Sequence, residues 1–199
     1  MLQVGITGGI GSGKTLVCRV FEKLGIPVYH ADAQAKWLMD HRENLKTEIR
    51  DLLGAGSYRD GRLDREYVAG QVFRDPELLN GLNAIVHPAV RNHYLAWMKR
   101  QTEVPYVIEE AAILFESGAH RFMDMTILVY APEDLRIRRV MERDQVQEEE
   151  VRLRMTRQMP EAEKKKKADA IIVNDEKEML LPQIIALHRS LLNKKQRSW

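Results

Sequence analysis

At 199 residues the chain suits one full-sized domain and leaves little room for two. Hydrophobic residues make up 44% and charged residues 30%, enough apolar surface for a sizeable core without staples. With 31 Lys and Arg against 29 Asp and Glu, the formal net charge of +2 argues against nucleic acid or a membrane surface as the main partner. Any basic site must be local. The one cysteine, Cys18, excludes an intrachain disulfide and a cysteine-based zinc site. The six histidines never stand at the i, i+4 spacing of a helical metal site. Met1-Leu2-Gln3-Val4-Gly5 has no basic n-region, so no secretory signal is expected. Apolar runs such as Ile127-Leu128-Val129-Tyr130 fall far short of the ~20 residues of a membrane-spanning helix. These features predict a soluble, reduced, cytoplasmic protein.

Residues 2–7 form a short apolar run rich in Val and Ile, read as a buried strand. A glycine cluster follows, and then Leu16, Val17, Val20, Phe21 and Leu24 recur at helical spacing, with Gly25 placed as a C-terminal cap. A second strand is expected from residue 26, with Pro27 among its first residues. Strand, helix, strand within about 30 residues is a βαβ unit, and such units imply a parallel sheet covered by helices. Residues 33–101 read as helical and polar, broken at Gly54-Ala55-Gly56 and Asp60-Gly61. One helix is expected over residues 78–85 and another over 88–99. Strands return at residues 106–108 and 126–130. Pro132-Glu133-Asp134 then opens a long charged helix, acidic in its first turn and basic beyond. Residues 136–167 are dominated by charge, residues 170–173 read as a last strand, and residues 178–192 as an amphipathic closing helix. The tail, residues 194–199, is expected to fray.

Gly8-Gly9-Ile10-Gly11-Ser12-Gly13-Lys14-Thr15 fits G-x-x-x-x-G-K-[ST] at every fixed position. Glycines let backbone N–H groups curl around a phosphate chain, and the helix that follows adds its dipole and unpaired donors. Lys14 can reach the β- and γ-phosphates, and the Thr15 hydroxyl can ligate Mg²⁺. The motif lies between a predicted strand and a predicted helix, which is its confirming context. The sequence therefore predicts binding of a nucleoside triphosphate with Mg²⁺.

Nucleotide binding does not fix the function. Asn174-Asp175 lacks the lysine and spacing of a guanine-specificity element, and the chain is short for a motor ATPase. A short core, a helical insertion after the second strand and an Arg-rich segment late in the chain form the layout of a small-molecule kinase. Another small-molecule kinase of the same fold, or a nucleotide switch with negligible transfer, are the alternatives.

The sequence resembles the dephospho-coenzyme A kinase family from Val4 to about Leu187. Residues Thr7 to Thr15 resemble its T-G-G-I-G-S-G-K-[ST]. His30-Ala31-Asp32-Ala33-Gln34-Ala35-Lys36 resembles its D-A-D-x-x-A-[RK], and His87-Pro88 with Arg91 its H-P-x-[IV]-R. Ile113-Leu114-Phe115-Glu116 is similar to the end of its P-L-L-F-E. Arg139 and Arg143, then Arg154 with Gln158, fit its lid pattern, and Ala168-Asp169 followed by Asn174 fits its A-D-x-x-I-x-N. Three departures stand out: His30 for the first acid, Lys36 at a position often Arg, and Ala112 for a proline.

The resemblance implies a three-layer α/β/α P-loop NTPase fold with a parallel sheet. The core would comprise residues 1–32, 103–135 and 168–199, the helical acceptor-binding insertion residues 33–102, and the Arg-rich lid residues 136–167. The implied reaction moves the γ-phosphoryl group of ATP to the 3′-hydroxyl of the ribose of dephospho-CoA, with Mg²⁺ as cofactor. Lys14, Asp32 and Arg139 are the implied catalytic residues, Asp32 orienting the hydroxyl at the end of the second strand. ATP binding falls to Gly8, Gly9, Ile10, Gly11, Ser12, Gly13, Lys14, Thr15, Leu16, Arg139 and Asn174, and metal binding to Thr15. Acceptor binding falls to Asp32, Lys36, His87, Arg91 and Glu110. Several alternatives stay open. Arg136, Arg138 and Arg143 lie near Arg139 in sequence, most of them read as a solvated basic face. His87 can touch the acceptor or merely end a helix before Pro88. Glu109 and Glu110 can hold a metal-bound water or pair with a nearby cation. Cys18 reads as a packed helix residue, and Lys164-Lys165-Lys166-Lys167 as a solvated lid edge. Partners would be ATP and dephospho-CoA, without nucleic acid or membrane, for a monomer with a small homo-oligomer left open.

Overall fold

The computed structural model describes residues 1–196. Its elements run β1 (Leu2–Thr7), α1 (Lys14–Lys23), β2 (Val28–His30), α2 (Ala31–His41), α3 (Glu43–Leu53), β3 (Tyr58–Arg59), β4 (Arg62–Leu63), α4 (Arg65–Val72), α5 (Pro76–Met98), β5 (Tyr106–Glu110), β6 (Met125–Tyr130), α6 (Glu133–Asp144), α7 (Glu148–Met155), α8 (Glu161–Lys167), β7 (Ala170–Val173) and α9 (Leu180–Gln196). They divide into two compact units, Met1–His30 with Gln101–Trp199, and Ala31–Arg100.

The first unit holds a five-stranded sheet in the order β2-β5-β1-β6-β7, every pairing parallel. This is the α/β fold with a parallel sheet flanked by helices that the βαβ pattern predicts. β1 lies at its centre, its Val4 and Ile6 wholly buried, because a parallel strand covered on both faces must be apolar throughout. Val17, Cys18 and Phe21 of α1, with Ile184 and Leu191 of α9, complete the core against Tyr106, Ile108, Ile127 and Val129 of the sheet. Gly25 takes φ +80° just past α1, as a glycine terminating a helix does. The second strand starts later than the sequence pattern suggested. Ile26 and Pro27 precede β2, and the Pro27 carbonyl accepts from Ile108 N–H at 3.0 Å, a role that needs no N–H of its own.

The second unit packs α2 to α5 around Leu38, Leu45, Ile49, Leu53, Val68, Val72 and Val86. Its Asp60-Gly61 break is a tight hairpin between β3 and β4, with φ +50° and +77° at the two turn residues. The expected pair of helices over residues 78–85 and 88–99 is instead one helix, α5, running through Pro88. Proline removes a hydrogen bond there. Packing outweighs that loss: Leu82, Ile85 and Val86 before Pro88, and Ala89 and Val90 after it, join the same core. His87 therefore ends no helix.

Two further boundaries differ from the sequence reading. The charged helix stops at Asp144, where Gln145 takes φ +54°, and α6 and α7 share a small core of Ile137, Val140 and Val151. The closing helix runs over Leu180–Gln196, so residues 194–196 of the expected frayed tail are helical, and residues 197–199 lie outside the described residues. No helix among the described residues is long and apolar enough to cross a membrane.

Phe21 is fully buried and meets Tyr106 edge-to-face at 6.4 Å between ring centroids. Replacing Phe21 with Ala should cost about 3–5 kcal/mol, the usual range for a truncated core aromatic. Urea unfolding of the two proteins checks it.

Candidate active site

β1 ends at Thr7 and α1 begins at Lys14, so the glycine-rich loop spans the gap between a buried strand and a helix N-terminus. Gly9 C=O accepts from Ser12 N–H at 3.0 Å and closes the turn. Gly11 and Gly13 have φ +81° and +91°, the left-handed region that a side chain disfavours. At Gly13 a Cβ would also lie 2.1 Å from Asn174 Nδ2, which donates to Ser12 C=O at 2.8 Å. Asn174 N–H in turn donates to Tyr130 C=O, so the loop after β7 is stitched to the glycine loop. The N–H groups of Gly11, Gly13 and Thr15 donate to no protein acceptor among the described residues. Together with the positive end of α1 they form a nest for an anion.

Lys14 Nζ donates to Gly8 C=O at 3.0 Å and lies 4.0 Å from Glu110 Oε1. Glu109 and Glu110 are both buried at the end of β5. Glu110 is an ion-pair partner here: its second oxygen lies 3.1 Å from His30 Nδ1, while His30 Nε2 lies 3.4 Å from Glu22 Oε1. The hydrogen bond to Glu110, with help from Glu22, raises the His30 pKa above its ordinary value despite partial burial. Cys18 is packed as the sequence suggests; burial, and then the Glu110 charge, push its thiol pKa far up. It is not a nucleophile at neutral pH.

The arginines of α6 separate by helix phase. Arg138 and Arg143 are exposed and paired with Glu176 and Asp144. Arg139 reaches inward, donating to Asn174 C=O at 3.2 Å and Glu176 Oε1 at 3.1 Å, with Gly11 C=O at 3.5 Å. Arg136, one of a cluster read mostly as a solvated face, is only 5% exposed and lies against Gly9. Its Nη1 is 3.4 Å from Glu161 Oε1, which accepts from Gly9 N–H at 2.9 Å. Beside it, Gln158 Oε1 accepts from Ile10 N–H at 2.8 Å.

Glu161 and the packing of Arg136 escaped sequence reasoning, since about 150 residues separate Glu161 from Gly9. The four-lysine run is a second correction. Lys164 is fully buried, donating to Ala112 C=O at 3.2 Å and pairing with Glu116 at 3.0 Å, while Lys165 to Lys167 are exposed. A charged run hides such a residue because its phase on α8 is set by what α8 packs against.

The first unit thus brings together Gly8 to Leu16, Glu110, Arg139 and Asn174. The other candidates belong to the second unit. β2 stops at His30, so Asp32 sits in the first turn of α2 rather than at a strand end, exposed like Lys36 one turn on. His87 and Arg91 are one turn apart on α5. Burial lowers the His87 pKa, and the Arg91 guanidinium stands 5.4 Å from the Tyr94 ring centroid.

Mg²⁺ keeps several waters and is held through substrate phosphates and one or two protein oxygens. The exposed Thr15 hydroxyl in the first turn of α1, next to the nest, fits that pattern. Among the described residues no group of three or more His, Cys, Asp or Glu could hold an ion without the nucleotide.

The sequence matches the profile of the dephospho-CoA kinase family over residues 2–179. The chain belongs to that family. Dephospho-CoA kinase of Porphyromonas gingivalis is 38% identical, aligned over 98% of this chain and 96% of that one. Two solved structures are also similar. The protein TT1252 from Thermus thermophilus superposes with a TM-score of 0.83 at 38% identity, covering 97% of each chain. Dephospho-CoA kinase from Campylobacter jejuni gives 0.69 at 26% identity, covering 96% of this chain and 98% of that one.

His30 gives a pH prediction. A group whose pKa is raised by folding adds stability that is fully present below its unfolded value, about 6.5, and is lost as pH rises through the folded one. The stability margin of the wild type over His30→Gln should therefore be largest near pH 5.5 and shrink above neutrality. Urea midpoints from pH 5.5 to 9 measure it, and a margin independent of pH would refute the linkage.

Proposed function

We infer that this chain transfers the γ-phosphoryl group of ATP to the 3′-hydroxyl of the ribose of dephospho-CoA, giving CoA and ADP in the final step of CoA biosynthesis. The observation that carries the reading is the glycine-loop anion nest in a chain belonging to this family over residues 2–179. In this reading the phosphates take the N–H donors of Gly11, Gly13 and Thr15. Lys14 exchanges Gly8 C=O for the β- and γ-phosphate oxygens. Arg139, held by Asn174 C=O, meets charge developing on the transferring group. Mg²⁺, bound through Thr15, would neutralise phosphate charge.

Phosphoryl transfer has a loose transition state, so alignment of the hydroxyl matters more than early proton removal. We assign that alignment to Asp32, which follows β2 closely, because open parallel sheets bind ligands beyond the carboxyl ends of their strands. Its carboxylate accepts a hydrogen bond from the hydroxyl and aims the oxygen at phosphorus. The cations Lys36 and Arg91 suit the acceptor's diphosphate, and His87 and Glu110 complete the acceptor set.

The test is incubation with ATP and Mg²⁺ plus dephospho-CoA, AMP, CMP or shikimate, each alone, with products followed by mass spectrometry. CoA should form from dephospho-CoA only, and Asp32→Asn should lower kcat by roughly 10²–10⁴. ADP without a phosphorylated acceptor would overturn the assignment.

A further inference from the structure

The Glu161 carboxylate sits among donors suited to a different kind of anion. Its Oε1 accepts a glycine-loop N–H, from Gly9, and faces a guanidinium, from Arg136. One backbone N–H of a glycine loop plus one arginine is the donor set of a phosphoryl oxygen. Both charged groups also have capacity in reserve. Arg136 Nε and Glu161 Oε2 are buried and have no hydrogen-bond partner among the described residues. The residues Arg136 and Glu161 line a pocket of about 510 Å³, together with Gln158, Arg152 and Glu133. Arg136 rests directly against Gly9, where a Cβ would collide with its Nη1.

We propose that Glu161 is a built-in stand-in for a phosphoryl group, holding Gly9 N–H and Arg136 until the terminal phosphoryl group of the triphosphate takes both. Glu161 Oε1 occupies both Gly9 N–H and the Nη1 edge of Arg136, so a phosphoryl oxygen that takes those same donors must compete with it. A nucleoside diphosphate lacks the group that displaces the carboxylate and leaves the pair intact. Glu161 thereby sets how strongly the site distinguishes ATP from ADP, and it is a specificity-determining residue for the same site. Gln158 has a lesser part: it is neutral, so its bond to Ile10 N–H opposes an incoming phosphate without charge repulsion.

The proposal rests on the nucleotide reading given above, and the test separates the two. Glu161→Gln keeps an oxygen for Gly9 N–H but removes the charge that binds Arg136. It should tighten ATP about tenfold while leaving ADP within about twofold, because no carboxylate charge then has to be displaced from Arg136 before the phosphoryl group binds. Arg136→Gln should do the reverse to ATP, weakening it about tenfold or more with ADP again little changed. Calorimetric titration of the full chain with each nucleotide reads both ratios, and thermal melting checks that the variants are folded. Equal shifts for ATP and ADP would show that the pair merely braces the fold. No shift in a variant that still makes CoA would overturn the role of Glu161 alone, and a wild type that fails to bind ATP would overturn both readings.

Discussion

Everything at this site depends on eight residues of backbone that cannot hold their own shape. The glycine loop, Gly8 to Thr15, must present N–H groups inward, so beyond the single turn from Ser12 N–H to Gly9 C=O it has no backbone ladder like that of a helix or strand. Its form is imposed by anchors distant in sequence. Asn174 ties down Ser12 C=O, and Gln158 and Glu161 take the N–H groups of Ile10 and Gly9, while within the loop Lys14 returns to Gly8 C=O. Parallel topology makes those anchors converge, because β1 is central and its neighbours β5 and β6 both end on the same side of the sheet. The loop is a local motif; its geometry is a property of the first unit as a whole.

That division explains what was legible in the sequence. The motif, the strands around it and the packed Cys18 followed from local rules, as period, apolar runs and glycine placement are short-range signals. The errors share a cause. Pro88 breaks helices as a propensity, yet α5 continues because apolar side chains on both sides of it belong to one core. Lys164 and Arg136 belong to charge-rich runs, yet one turn of helix separates a solvated cation from a buried one. Burial of a charge is decided by the partner that meets it. Glu116 and Glu161 are 48 and 25 residues away from Lys164 and Arg136 respectively, beyond the reach of any periodicity.

His30 shows how a departure from the family's motif is accommodated. Where the pattern D-A-D places an acid, this chain has an imidazole between Glu110 and Glu22. An acid there would add a third negative charge beside two carboxylates. The histidine instead shares Glu110 with Lys14, so the carboxylate bridges a residue of β2 and a residue of the glycine loop. The position has changed its charge, and its neighbours turn that change into a link between two elements of the sheet unit.

The charge of the Arg-rich segment follows the same logic. Arg152 pairs with Glu133 and Glu148, Arg154 with Asp144 and Glu150, and Arg138 with Glu176. These arginines are thus paired with acids, Glu133 and Glu176 among them from outside residues 136–167, and the net charge of +2 gives no sign of the local anion nest at the glycine loop. Solvated pairs of this kind contribute little, about 0–1 kcal/mol each, so exchanging their partners for phosphate costs little. The buried Arg136–Glu161 pair differs. Removing one member of such a pair leaves an uncompensated charge and costs about 3–5 kcal/mol. The incoming anion can therefore separate the two only by supplying Arg136 with an equivalent negative oxygen. Selectivity is concentrated where desolvation is greatest, at one guanidinium resting on one glycine.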